Sequence, residues 1–278
     1  MKLSLYSGAG NRFAAVDLRR QELPLARAAF AREVCQRWQV DGVLLALPPR
    51  QTGHVRMLVL NSDGSQPEAC GNGLRCLAAF ARESGFAAAD HVQVETDAGQ
   101  REVTLLRVGA RIVAARASMG AGRVLEQDLE LLDPAERFKP VRGTVVDMGN
   151  PHFVMQVADE RQSRVREIGA WVETHARFPR RINVGFAAVR DGGLHLRVWE
   201  RGVGETAACG TGACAAALAL AVRGLVRSPV EVHKPGGTLE VSWSDSSQIF
   251  LRGPCLWEGD VAFDSAGLPL APRVDAHS

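Results

Sequence analysis

The sequence predicts an α+β protein of two pseudo-symmetric lobes, each a strand-rich sheet or partial barrel around a central helix. Three observations carry that expectation. Cys70-Gly71-Asn72-Gly73 and Cys209-Gly210-Thr211-Gly212 are near copies set 139 positions apart, half of the 278-residue chain, and the same offset separates Asn11 from Asn150. Short β-rich runs outnumber helical patterns. The two helical patterns that follow the matched cysteines are rich in alanine (Ala78, Ala79, Ala215, Ala216, Ala217, Ala219), small enough for a sheet to close tightly around them.

In the first half, strand-like runs fall at 43–47, 55–60, 91–95, 103–108 and 111–115. In the second they fall at 145–148, 153–157, 184–189, 194–199, 230–233, 239–243 and 249–251. Helical patterns cover 25–38, 74–84, 165–176 and 212–223, and the second and fourth form the repeated pair. Gly85 and Gly224 close that pair, again 139 apart, because glycine accepts the left-handed conformation that ends a helix. The small residues at 117–122 mark the crossing between lobes. The expected division is 1–118 for an N-terminal lobe carrying Cys70 and 119–264 for a C-terminal lobe carrying Cys209. The Pro-rich, polar tail at 265–278 is expected to fray.

Composition narrows the function classes. An apolar share of 46%, a charged share of 23% and a net charge of +2 describe an ordinary globular chain. Its arginines are scattered among acids with no stripe to track phosphates, so nucleic acid is not an expected partner. No apolar run approaches the ~20 residues of a membrane span, so none is expected to cross a bilayer. The first residues lack the apolar stretch and cleavage site of a signal peptide, so a cytoplasmic setting with reduced cysteines is expected. Cys35, Cys76, Cys214 and Cys255 read as buried apolar residues. The cysteine spacing does not suit zinc, and no metal site is expected.

A cysteine at the head of a glycine turn is different. A helix start presents unpaired N–H groups and the positive end of the macrodipole, and glycine lets those amides approach a bound anion closely. Two such turns facing each other hold one carboxylate from both sides. The same field is expected to lower each thiol below its free value of about 8.5. Donors that strengthen as charge builds up favour a carbanion at the adjacent carbon. One thiolate then takes the α-proton while the opposite thiol returns one, with no cofactor.

The motifs as a set resemble diaminopimelate epimerases. The resemblance rests on Gly149-Asn150-Pro151-His152, Asn61-Ser62-Asp63-Gly64-Ser65, Cys70-Gly71-Asn72-Gly73-Leu74-Arg75-Cys76, Trp199-Glu200-Arg201-Gly202-Val203-Gly204-Glu205-Thr206 continuing through Cys209 to Ala215, and Pro235-Gly236-Gly237. It runs from about residue 3 to 263 and implies cofactor-independent interconversion of LL- and meso-diaminopimelate, a step toward lysine and cell-wall precursors, in a cleft between two lobes. Carried over by position, Cys70 and Cys209 are the acid–base thiols, with Cys70 deprotonating the LL isomer, and His152 and Glu200 tune them. The amides of Gly71, Asn72, Gly210 and Thr211 hold the reacting carboxylate. Asn11, Asn61, Asn150, Asn183 and Arg201, with Glu200, surround the rest of the substrate. The family resemblance also implies a homodimer.

The first lobe departs from the family pattern. Ser7 and Arg12 stand where a histidine and an aspartate are usual, and the loop before Asp41-Gly42 is shortened. Those changes keep two alternatives open: a racemase of another amino acid, of histidine or proline type, and a non-catalytic amino-acid binder.

Overall fold

The computed structural model describes residues 1–19, 21–67, 70–244 and 248–264; the tail expected to fray lies outside them. In chain order the elements are β1 (Lys2–Gly8), β2 (Asn11–Asp17), α1 (Arg27–Trp38), β3 (Gly42–Leu47), β4 (Val55–Asn61), α2 (Gly71–Glu83), β5 (His91–Thr96), β6 (Gly99–Val108) and β7 (Arg111–Gly120). The second series is β8 (Arg123–Leu131), β9 (Val141–Asp147), β10 (Pro151–Gln156), α3 (Val165–Glu173), β11 (Asn183–Arg190), β12 (Gly193–Glu200), β13 (Gly204–Thr206), α4 (Gly210–Ala221), β14 (Val230–Lys234), β15 (Gly237–Trp243), β16 (Ile249–Pro254) and β17 (Leu256–Ala262).

The pairings make the repeat visible. One half of the sheet runs β17-β1-β2-β3-β4-β5-β6-β7, with parallel pairs at β2/β3 and β4/β5. The other runs β8-β9-β10-β11-β12-β14-β15-β16, with parallel pairs at β10/β11 and β12/β14. The halves join where β7 meets β16, Ala117 opposite Leu251. The last strand therefore pairs with the first, and the chain end returns to the half in which it began.

Each half curls around its repeated helix. Gly71 through Ala81 of α2 and Gly210 through Leu220 of α4 are buried, and α4 carries no charged residue on any side. Both begin earlier than the apolar pattern suggests, because the capping residue is the cysteine itself. The other two helices lie outside. α1 packs Phe30 and Val34 onto the outer layer that holds Leu45 and Phe263. In α3, a Cβ on Gly169 would lie 2.7 Å from the Trp199 side chain, so only glycine admits that indole.

β1, β2, β8, β13 and β17 were not expected. β8 is polar and largely exposed, with a register irregularity and Asp128 at φ 53°, so its strand form comes from pairing with β9 rather than from alternation. β13 is three residues long and exists through its pairing with β12.

One close approach ties the halves at their ends. Gly10 has φ 94°, and a Cβ there would lie 2.5 Å from Gly236 Cα. Gly10→Ala is therefore expected to lower the unfolding free energy by at least about 2 kcal/mol, combining left-handed strain with a backbone clash. Urea denaturation of the variant measures this, and an unchanged midpoint would disprove the contact.

Candidate active site

Cys70 and Cys209 occupy matched positions. Each has an extended backbone (φ −144° and −117°) and caps its helix, its Sγ accepting the N–H of Gly73 or Gly212 at 3.3 Å. Glycine suits both third positions, since a Cβ would crowd the capping sulfur, 3.0 Å from Cys70 Sγ or 3.1 Å from Cys209 Sγ. The two helix starts abut: a Cβ on Gly210 would stand 3.6 Å from Gly71 Cα. The buried Leu251 side chain fills the floor beneath both. Ahead of the first intrahelical bonds, the amides of Gly71, Asn72, Gly210 and Thr211 make one concentrated cluster of donors.

A cleft of about 500 Å³ opens over this junction, with both thiols on its wall. The same wall carries Asn11, Asn61, Asn72, Asn150, Glu200 and Thr211. A second hollow of about 330 Å³ opens beside Cys70 toward Gln66 and Arg101, so Cys70 borders two spaces and Cys209 one. Asn11 accepts from Asn72 Nδ2 at 2.9 Å and donates to Asp41 at 3.3 Å. Asn61 sits in a turn, donating to Ser65 Oγ at 3.0 Å.

His152, Asn183 and Arg201 stand behind the wall rather than on it. His152 is 1% exposed, and its Nε2 lies 3.1 Å from Asn150 Oδ1. That acceptor places the ring proton on Nε2. Asn150 donates to Thr211 Oγ1 at 3.4 Å, and Thr211 Oγ1 lies 3.7 Å from Cys209 Sγ. His152 thus reaches the thiol through two intermediaries. Asn183 donates to Pro151 O at 2.9 Å and accepts from Arg201 N–H at 3.0 Å, clamping β10 to the turn after β12. The Arg201 guanidinium donates to Arg180 O at 3.3 Å.

The expectation of low thiol pKa values is overturned. Burial drives both up, Cys209 to about 12, with the Glu200 carboxylate adding to the rise in each. The capping amides of Gly73 and Gly212 pull the other way and do not prevail. Glu200 faces both thiols and accepts a short hydrogen bond from Thr206 Oγ1.

The substitution at Arg12 proves remote from the cleft. Its guanidinium turns outward to Glu258 at 2.8 Å and to the carbonyls of Trp38 and Gln39. Only its backbone faces inward, where Arg12 N–H and Asn11 share the Asp41 carboxylate. Asp41, on the cleft wall, is a site residue that motif reading passed over because the shortened loop obscured it.

The sequence profile of the diaminopimelate epimerase family matches residues 3–124 and 144–257. Diaminopimelate epimerase of Moorella thermoacetica is 40% identical over 273 residues, covering 92% of this chain and 98% of that protein. The chain belongs to the diaminopimelate epimerase family. The diaminopimelate epimerase of Desulforudis audaxviator is likewise 40% identical, over 91% of this chain and 96% of that one. Among solved structures, a probable proline racemase from Agrobacterium radiobacter K84 superposes with a TM-score of 0.71 at 17% identity, over 96% of this chain and 94% of that one. A hydroxyproline epimerase from Agrobacterium vitis gives 0.70 at 16%, over 94% and 91%. At that identity the likeness is one of fold. The stretch between the two blocks matched by the family profile contains most of the exposed edge strand β8, where little packing constrains sequence.

Burial pushes His152 down to about 3, against a weak pull upward from Asp147 and with Arg201 adding to the fall. The unfolded chain therefore binds a proton that the folded one refuses between pH 6.5 and about 3, and stability falls as pH drops through that window. His152→Gln, which keeps a donor for Asn150, is expected to flatten that slope by an amount on the order of a few kcal/mol. Urea unfolding at pH 7 and pH 4 measures it, and an equal slope in both proteins would refute the buried neutral ring.

Proposed function

We propose that this protein interconverts LL- and meso-diaminopimelate by moving the α-proton between Cys70 and Cys209, without metal or organic cofactor. The observation that carries the reading is the abutment of two cysteine-capped helix N-termini in one cleft, in a chain of the diaminopimelate epimerase family.

The reacting carboxylate sits across the junction, held by the amides of Gly71, Asn72, Gly210 and Thr211. Those donors are already oriented, so they stabilise the carbanionic transition state with little reorganisation. One sulfur takes the α-proton from one face; the other delivers a proton to the opposite face, and the centre inverts. The two Sγ atoms exchange roles when the reaction runs backward. The wall asparagines, Asn11, Asn61 and Asn150, offer both donors and acceptors to the distal amine and carboxylate. Asn183 holds the turn that carries Arg201, whose guanidinium would have to leave the Arg180 carbonyl to pair with that carboxylate. His152 orients Asn150 and Thr211, and Glu200 sets the charge felt by both sulfurs.

Strand pairing supports lobes of 1–120 with 256–264, and of 123–254. A reducing cytoplasm suits two thiols that must stay unlinked. Among the described residues no helix is long and apolar enough to cross a membrane. A homodimer accompanies the family reading, two-fold symmetry being the usual arrangement for such pairs.

The test is exchange of the α-hydrogen with solvent deuterium, followed by NMR on LL-diaminopimelate, meso-diaminopimelate, proline and histidine with a chelator present. Exchange and inversion confined to diaminopimelate are expected. Cys70→Ser and Cys209→Ser should each reduce turnover by at least about 10²-fold, the lower range for loss of a general acid or base. Retained inversion in Cys209→Ser would sink the two-thiol mechanism, and exchange of proline or histidine alone would reassign the substrate.

A further inference from the structure

Two cations, one buried and one partly buried, touch the cysteine-capped helix starts. Arg75 is 0% exposed, the one charged side chain in the buried run of α2 from Gly71 to Ala81. Its guanidinium donates to Asn72 Oδ1 at 2.8 Å, to Gly71 O at 3.3 Å and to Pro254 O at 3.5 Å. Lys234, at the end of β14 and partly buried, donates to Cys209 O at 3.4 Å. Among the described residues neither forms an ion pair with a carboxylate. A buried cation without a counter-charge is costly, because it has given up water for neutral acceptors. For Arg75 that charge is compensated only when a negative charge forms beside it, while Lys234 already has the Glu200 carboxylate in its field and gains from a second.

The groups that face these cations show which charge that is. Around Arg75 are the thiols of Cys70, Cys76, Cys214 and Cys255; around Lys234 are Cys209, Cys214, Glu200 and Arg75 itself. Of these thiols, only Cys70 and Cys209 open onto the cleft. Burial and Glu200 raise both cleft thiols, while Arg75 pulls Cys70 down and Lys234 pulls Cys209 down. Lys234 in turn is pushed to about 8 by burial.

We infer that Arg75 and Lys234 are a cationic backing for the thiolates, one at each helix start, placed to hold the charge left when Cys70 or Cys209 loses its proton. The inference rests on the two-thiol reading above and adds the groups that make it feasible inside an enclosed site. The step is loss of a proton from sulfur, which goes to water or to the carbanionic carbon, while the electron pair stays on Sγ. Both cations are positioning residues: Arg75 acts through Asn72, which also holds Asn11, and Lys234 through the Cys209 carbonyl. Both could have drawn notice in the sequence, Arg75 as the one charge between Gly71 and Ala81 and Lys234 as the residue before Pro235-Gly236-Gly237.

The experiment follows alkylation of the full chain by iodoacetamide across pH 6–10, with mass spectrometry assigning the rate at each cysteine. It needs no turnover, so it fails or succeeds independently of the substrate assignment. In Lys234→Met the rate at Cys209 below its pKa should fall about tenfold for each unit by which the thiol rises. Cys70 should change less, and Lys234→Arg should restore the parent profile. Arg75→Lys should keep the Cys70 profile near the parent's, and Arg75→Met should slow Cys70 selectively. Should Arg75→Met not fold, the Lys234 pair decides alone. An unmoved Cys209 profile in Lys234→Met would overturn the inference, as would equal slowing in Lys234→Met and Lys234→Arg, the mark of a merely structural prop. A shifted alkylation profile in a protein that epimerises nothing would uphold the backing and remove the catalytic reading.

Discussion

Everything in the site depends on the meeting of two helix starts through bare backbone. A Cβ on Gly210 would come within van der Waals contact of Gly71 Cα, and any larger side chain would drive the starts apart. That contact sets the separation of the two capping sulfurs and directs the helix-start N–H groups of Gly71, Asn72, Gly210 and Thr211 at one region. It also explains why α2 and α4 are almost wholly buried. A helix whose first turn sits at the molecular centre must be enclosed by sheet, and alanine along its length lets strands approach closely enough.

Enclosure has an electrostatic consequence that opposes the helix dipole. The dipole and the capping amides favour an anion on sulfur, but removing a thiolate from water outweighs them, and both thiols rise. Both shifts favour the neutral thiol, and the proposed mechanism then calls on other charges to ionise one. Glu200 works against ionisation, while Arg75 and Lys234 work for it. Under the proposed two-thiol mechanism that balance leaves either sulfur available as acid or base, which a reversible inversion requires, since a permanently ionised pair would lack a donor.

Much of the fold was legible because the duplication is long and its offset constant. Matched cysteines, asparagines and closing glycines revealed two copies of one plan, and apolar runs located the central strands. Strands β1, β2, β8, β13 and β17 were not legible. β8 carries polar residues on both sides and β13 is too short to show alternation, so partner strands decide their form. In the site, the residues named by motif that line the cleft are Asn11, Asn61, Cys70, Gly71, Asn72, Asn150, Glu200, Cys209, Gly210 and Thr211. His152, Asn183 and Arg201 stand one layer back, a placement no spacing along the chain encodes.

The sequence by itself determined the two thiols, their glycine turns and the apolar helices behind them, because those features rest on local backbone requirements: a capping side chain, a position without Cβ, a small-residue helix. Tertiary structure alone decided the direction of the thiol pKa shifts, the outward turn of Arg12 and the placing of Arg75 and Lys234 at the helix starts. Burial and charge act through space. Their effects are set by which groups the strands carry to one point, whether five residues away, as Arg75 is from Cys70, or twenty-five, as Lys234 is from Cys209.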